Sequence, residues 1–266
     1  MGELGGRVAI VTGAGGAIGG AIARRLAASG AHVMMADENE KALAAGLQAL
    51  KAEDGHSAKF HIRAHDKLGA ANLLAATIDA FDRIDILVNI PRATLPGAFA
   101  ELAGADLAEA LNLNVTASLL LAQAVARRML EQAEDGDPAE AGAILNVSSI
   151  ASRRTVPELL AYSVSCAALD QLTRSMAADL APSRIRVNGI ALGAVMTERL
   201  RQALKERDNL RGELLSVTPL GRIGEAEEAA EVAHFLVSSR ASFMTGQIVT
   251  VDGGRSILDP LASPVR

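Results

Sequence analysis

Three side chains in one segment have types and spacing that suit shared chemistry. Ser149 closes an apolar run that reads as a buried strand, and Tyr162 follows after twelve intervening residues. A loop carrying Pro157 lies between them, and Ala161 to Ala181 then reads as a long helix. This layout sets a hydroxyl at a strand end beside a phenol on a helix, a pairing suited to moving a proton at a substrate oxygen. Cys166 comes four residues after Tyr162, and helical spacing puts both on one face. Its thiol is a candidate nucleophile, yet no nearby base or cation in the sequence activates it. A small packing residue is the plainer reading.

A second constellation sits near the N-terminus. Arg7 to Thr12 is a β-branched run of the kind buried on both faces of a sheet. Gly13 to Gly19 (GAGGAIG) follows, then a helix with apolar positions Ile22, Ala23 and Leu26. Gly30 marks its stop, and His32 to Ala36 makes a second strand ending at Asp37. Strand, glycine turn, helix, strand and terminal acid form a dinucleotide fingerprint. Glycines let backbone N–H groups approach a pyrophosphate at a helix N-terminus. Asp37, 24 residues after Gly13, is placed to accept hydrogen bonds from ribose hydroxyls and to repel a 2′-phosphate. That favours NAD over NADP.

The elements that must position these groups alternate along the chain. Helices are expected over Glu40–Lys51, Leu68–Phe81, Asp106–Glu131 and Glu227–Ser238. Strands are expected over Lys59–Ala64, Ile84–Asn89, Ile185–Ala191 and Gly246–Gly254, with a polar, acidic loop from Glu131 to Ala141. The chain has 266 residues, half of them hydrophobic, which fits one domain with a full-sized core. A net charge of −5, scattered basic residues apart from Arg153-Arg154, no tryptophan and one tyrosine argue against a nucleic-acid partner. One cysteine excludes an internal disulfide and points to a reducing cytoplasm. No apolar run suits a membrane span and the N-terminus lacks a signal-peptide pattern, so a soluble cytoplasmic protein is expected. His61 and His65 lack a third ligand, so no metal site is expected.

The Ser149–Tyr162 spacing, the glycine turn and the order of elements resemble the short-chain dehydrogenase/reductase family, over residues 4 to 256. The resemblance implies an α/β, doubly wound Rossmann fold, with a seven-stranded parallel sheet flanked by helices on both faces. It implies one domain over residues 1–266, with a dinucleotide-binding half over about 4–90 and a catalytic half over about 91–256. A mobile substrate lid would cover about 194–218, which includes the charged stretch Glu198–Val217. The activity implied is NAD(H)-dependent alcohol/carbonyl interconversion on a small-molecule substrate. Tyr162 would give or take the proton, Ser149 would hold the substrate oxygen, and Asn114 would anchor a water relay. Gly13, Gly15, Ile18, Gly19, Asp37, Asn89, Arg92, Val195 and Thr197 fall at cofactor positions. A homo- or hetero-oligomer through the two long helices is also implied.

The chain departs from the family pattern at several positions. Cys166 stands where the family has the lysine that holds the nicotinamide ribose and lowers the tyrosine's pKa. Asn89-Ile90-Pro91-Arg92 replaces NNAG, Leu192 replaces a proline, Ala17 replaces a middle glycine, and Arg63 falls where an acid usually contacts adenine. Arg92 could extend into solvent, fill the cofactor groove or supply the charge that Cys166 lacks. Three functions stay open. The first is a divergent oxidoreductase, the second a silent subunit partnering an active relative, and the third redox-neutral dehydration or cyclisation using Tyr162 and Ser149.

Overall fold

The computed structural model describes residues 2–51, 57–61, 66–90, 94–134 and 140–259. Its strands are β1 Val8–Thr12, β2 His32–Asp37, β3 Ser57–His61, β4 Ile86–Asn89, β5 Gly142–Ser149, β6 Ile185–Leu192 and β7 Ile248–Val251. Its α-helices are α1 Ala17–Ala28, α2 Glu40–Lys51, α3 Lys67–Phe81, α4 Gly104–Leu111, α5 Ala117–Glu134, α6 Leu160–Leu180, α7 Glu198–Glu206, α8 Leu210–Ser216 and α9 Ala226–Val237. The seven strands form one parallel sheet in the order β3-β2-β1-β4-β5-β6-β7. Winding reverses between β1 and β4, and in such sheets the crevice outside the strands' carboxyl ends at the reversal takes the ligand.

Both faces of the sheet are covered, which explains why the central strands read as continuous apolar runs. Along β1, Ala9 and Val11 point into one core and Ile10 into the other. The first core packs Leu26 of α1, Leu43 of α2 and Leu236 of α9; the second packs Leu73 of α3, Val125 of α5 and Met176 of α6. Each such fully buried leucine or valine contributes roughly 1.5–3 kcal/mol relative to exposure. The doubly wound architecture expected from the sequence is therefore observed.

Local boundaries shift for identifiable reasons. The Asp66 side chain accepts from the Gly69 N–H at 2.8 Å and starts α3 one residue earlier than the apolar pattern predicts. The expected strand at Lys59–Ala64 is found at Ser57–His61, in register with β2. Arg63 and His65 lie outside the described residues, as do Pro91 and Arg92. The one long helix expected over Asp106–Glu131 is instead α4 and α5 joined by a π-helical turn, Asn112–Thr116. The Ala117 N–H reaches back to the Asn112 carbonyl, five residues away, so one extra residue is accommodated. The charged stretch Glu198–Val217 resolves into α7 and α8, neither of which buries a residue fully. No helix among the described residues is long and apolar enough to cross a membrane, and no cluster of potential metal ligands occurs among them.

Candidate active site

The glycine turn after β1 is shaped by close backbone contacts. Gly13 has φ +65°, in the left-handed region that favours glycine. A Cβ on Gly19 would meet the Gly13 carbonyl oxygen at 2.2 Å, so α1 is pressed onto the turn too closely for any side chain there. A Cβ on Gly15 would lie 3.0 Å from the Asp37 carboxyl carbon. That closeness lets the Gly15 N–H donate to Asp37 Oδ2 at 2.9 Å, while the Asn39 N–H donates to Oδ1 at 2.8 Å. The acid at the tip of β2 is thus pinned over the turn. No side chain caps the N-terminus of α1, whose second residue is Ile18. An uncapped helix end behind a glycine cradle, beside a fixed acid, suits a dinucleotide's pyrophosphate and ribose.

At the tips of β4 and β5 a buried polar ladder ties the sheet to α6. The Asn89 side-chain amide donates to Asn146 Oδ1 at 3.0 Å. Asn146 in turn donates to Thr173 Oγ1 at 2.8 Å, and Thr173 donates to the Leu169 carbonyl at 2.8 Å. All three side chains are buried. Asn89 therefore holds strand to strand and strand to helix through its side chain. The sequence pointed to Asn89 but not to Asn146 or Thr173. An asparagine inside the otherwise apolar run of β5 was the available signal.

Ser149 ends β5, and its Oγ accepts from the Ala151 N–H at 3.2 Å. Tyr162 lies in the first turn of α6 and lines the same cleft as Ser149, whose side chain draws the phenol's pKa down. One turn on, Cys166 is 1% exposed and stands beside Tyr162, each shifting the other's pKa. The sequence-predicted pair is brought together, and the thiol packs beside it. Asn114 reaches the same helix from the π-helical turn, donating to Ser165 Oγ at 2.9 Å, and Ser165 Oγ donates to the Tyr162 carbonyl at 2.9 Å. Asn114 therefore buttresses the backbone turn that carries the phenol. Its position in a π-helical turn, where one extra residue is accommodated, escaped the helical periodicity argument.

Burial is the main influence on both acids. It holds the Tyr162 phenol above its ordinary range, and the Cys166 side chain acts in the same direction. Ser149 pulls the other way, as does the field of Arg199 on α7, but these do not prevail. Burial likewise pushes the Cys166 thiol up to about 11, partly offset by the neighbouring Tyr162 side chain. Neutral thiol and neutral phenol are the forms present near pH 7. Asp170, a further turn along α6, is 3% exposed, and its Oδ1 has no hydrogen-bond partner. Its charge adds to the upward push on Cys166.

The far wall comes from the end of β6. Gly193 packs so closely against Asp252 that a Cβ would stand 2.6 Å from the Asp252 Cβ. Val195 is buried in the core under α9, and its bridge to Gly224 uses the Met196 N–H and the Ala194 carbonyl. The Val195 N–H and carbonyl stay out of that ladder. Thr197 caps α7, its Oγ1 accepting from the Leu200 N–H at 3.2 Å. Between these walls an open cleft of about 530 Å³ is lined by Ser149 and Tyr162, by Leu192 and Gly193, and by two arginines, Arg154 and Arg255. The sequence reading assigned neither arginine a role.

Known proteins resemble this chain in sequence and fold over nearly its whole length. A family model described as enoyl-(acyl carrier protein) reductase matches residues 13–256. The 7alpha-hydroxysteroid dehydrogenase of Escherichia coli (strain K12) is 35% identical over 254 residues, covering 95% of this chain and 95% of the relative. The 2,5-dichloro-2,5-cyclohexadiene-1,4-diol dehydrogenase of Sphingobium indicum (strain DSM 16412) is 35% identical over 257 residues, covering 96% of this chain and 98% of the relative. Among solved structures, a 7 alpha-hydroxysteroid dehydrogenase complexed with NADH and 7-oxo glycochenodeoxycholic acid superposes with a TM-score of 0.86. Its identity is 34%, and the match covers 94% of each chain.

Proposed function

Since the chain belongs to the short-chain dehydrogenase/reductase family, we propose that it is an NAD(H)-dependent oxidoreductase that interconverts an alcohol and a carbonyl, with Tyr162 handling the proton. The observation that carries this reading is the pair Ser149 and Tyr162, which line one cleft at the carboxyl edge of the sheet. The glycine turn with Gly13, Gly15, Ile18 and Gly19 would hold the pyrophosphate, and Asp37 the adenosine ribose. The Val195 backbone and Thr197 would address the nicotinamide amide. When bound, the cofactor supplies or takes the hydride.

Ser149 orients the substrate oxygen by hydrogen bonding, and Tyr162 transfers the proton to or from that oxygen. Asn114 fixes the helical turn beneath Tyr162 through Ser165. Because the phenol is neutral near pH 7, carbonyl reduction finds its proton donor in place. Alcohol oxidation needs the phenolate, which an unperturbed tyrosine of pKa about 10 holds at only about one part in a thousand at pH 7. The raised value of Tyr162 lowers that fraction further. The resting protonation state at neutral pH therefore suits the carbonyl-reducing direction. Its single buried thiol, with no disulfide partner, fits a reducing cytoplasm.

One observation favours a second reading. Cys166 is a buried, neutral thiol where the family has a lysine, so the site has no fixed charge there. A silent subunit paired with an active relative would tolerate that loss. Tyr162→Phe separates the two readings. An active reductase should lose carbonyl-dependent NADH oxidation in this variant while NADH binding persists. A purified wild type with no turnover on any carbonyl of a broad panel would support the silent subunit.

A further inference from the structure

Arg154, from the loop after β5, and Arg255, from the segment after β7, both line the cleft that holds Ser149 and Tyr162. Neither forms a salt bridge with a carboxylate among the described residues. Arg154 is held in place by its Nε and Nη2, which donate to the Ser256 carbonyl, the Nε at 2.9 Å. A guanidinium has five N–H donors in a planar fork, so others remain for a ligand. Asp252 is the acid nearest in sequence to Arg255 and feels its charge, but the two form no salt bridge, and the Asp252 oxygens accept from the Gly254 N–H at 2.9 Å and the Ser256 N–H at 2.6 Å. Among the described residues, no aspartate or glutamate lines the cleft. Arg199 on α7 adds a third positive charge, close enough for its field to reach Tyr162. The remaining wall is largely apolar, with Ile150, Val156, Leu159 and Leu192 beside Thr155.

Two half-exposed or exposed guanidinium groups, neither in a salt bridge among the described residues, set against a largely apolar wall, match one kind of molecule. We propose that the substrate is an organic anion: an apolar body bearing a carboxylate that docks on Arg154 and Arg255. Docked there, its carbonyl or hydroxyl carbon is presented to Ser149 and Tyr162. This rests on the oxidoreductase reading for the chemistry, but the anion site itself stands on the arginines alone. Arginine suits the task because its fork pairs both oxygens of a carboxylate. The apolar wall accounts for the rest of the ligand, so small hydrophilic anions are poor fits.

Octanoate and its neutral counterpart octanamide, titrated into the full chain by calorimetry at low salt, test the site without turnover. Octanoate should bind saturably, and octanamide at least about tenfold more weakly, the difference that one charge-assisted pair supplies. Arg255→Gln should weaken octanoate by about tenfold, Arg154→Gln/Arg255→Gln further, and neither should change octanamide. Added salt should weaken octanoate alone. Equal binding of the two probes, no octanoate binding, or octanoate affinity unchanged in both variants overturns the proposal. NADH titrated separately keeps the two readings apart. Octanoate binding without NADH binding leaves the anion site standing and the oxidoreductase reading fallen, and NADH binding without octanoate binding does the reverse.

Discussion

Replacing Cys166 with lysine should return a charge to the face of α6 that carries Tyr162, and the chain is suited to reading the result. Tyr162 is the only tyrosine and there is no tryptophan, so ultraviolet absorbance of tyrosinate reports this one phenol. In the wild type, burial and Cys166 hold the phenol above the ordinary tyrosine range. Four-residue helical spacing sets the side chain at 166 beside the phenol. A cation within about 4–6 Å lowers an acid's pKa by about 1–3 units, or roughly 1.4–4 kcal/mol between protonation states. Asp170 competes for the new ammonium, because its Oδ1 is unpartnered and it lies one turn beyond. The double variant Cys166→Lys/Asp170→Asn removes the rival and should give the larger fall. After circular dichroism has confirmed the fold, a spectrophotometric titration of wild type and both variants reads the shift directly. A tyrosine pKa unchanged or raised in both variants would refute the reasoning.

Three further outcomes follow from the geometry. Oxidation of an alcohol by the wild type with NAD should keep rising as pH increases through the alkaline range, because a raised phenol pKa delays the phenolate; a plateau reached near neutrality in the rate profile would contradict this. Gly15→Ala forces a methyl to within about 3 Å of Asp37, an overpacking expected to destabilise by about 1–3 kcal/mol, visible as a Tm lowered by several degrees in calorimetry. Asn146→Ala leaves the Asn89 amide and Thr173 without their shared partner; a loss of about 1–3 kcal/mol should show in the urea midpoint, and an unchanged midpoint would remove the ladder from the account.

The sheet was legible because its strands are short β-branched runs buried on both faces, and because the glycine turn and Asp37 carry their own geometry. That Ser149 and Tyr162 share a cleft was legible for a similar reason, since a strand end and a helix start leave little freedom in where their side chains point. Asn114, expected in the middle of one long helix, lies in a π-helical turn. Apolar periodicity does not register the one extra residue of a π-helical turn, whose signature is the reach from Ala117 to Asn112. Asn146, Thr173 and Ser165 were missed because their partners come from other elements, and nothing in one sequence shows which distant groups will meet. Arg154 and Arg255 were missed for the same reason. They lie about a hundred residues apart and converge only when β5 and β7 stand two strands apart in the sheet.

NADH binding tests the central claim most directly, and it can be followed through the fluorescence of the cofactor excited directly, since no tryptophan is present to transfer energy. Purified wild type should bind NADH saturably and NADPH more weakly, with Asp37→Ala narrowing that difference. Failure of the wild type to bind NADH under conditions where its fold is intact would contradict the account and leave the glycine turn and Asp37 as the remains of an ancestral site.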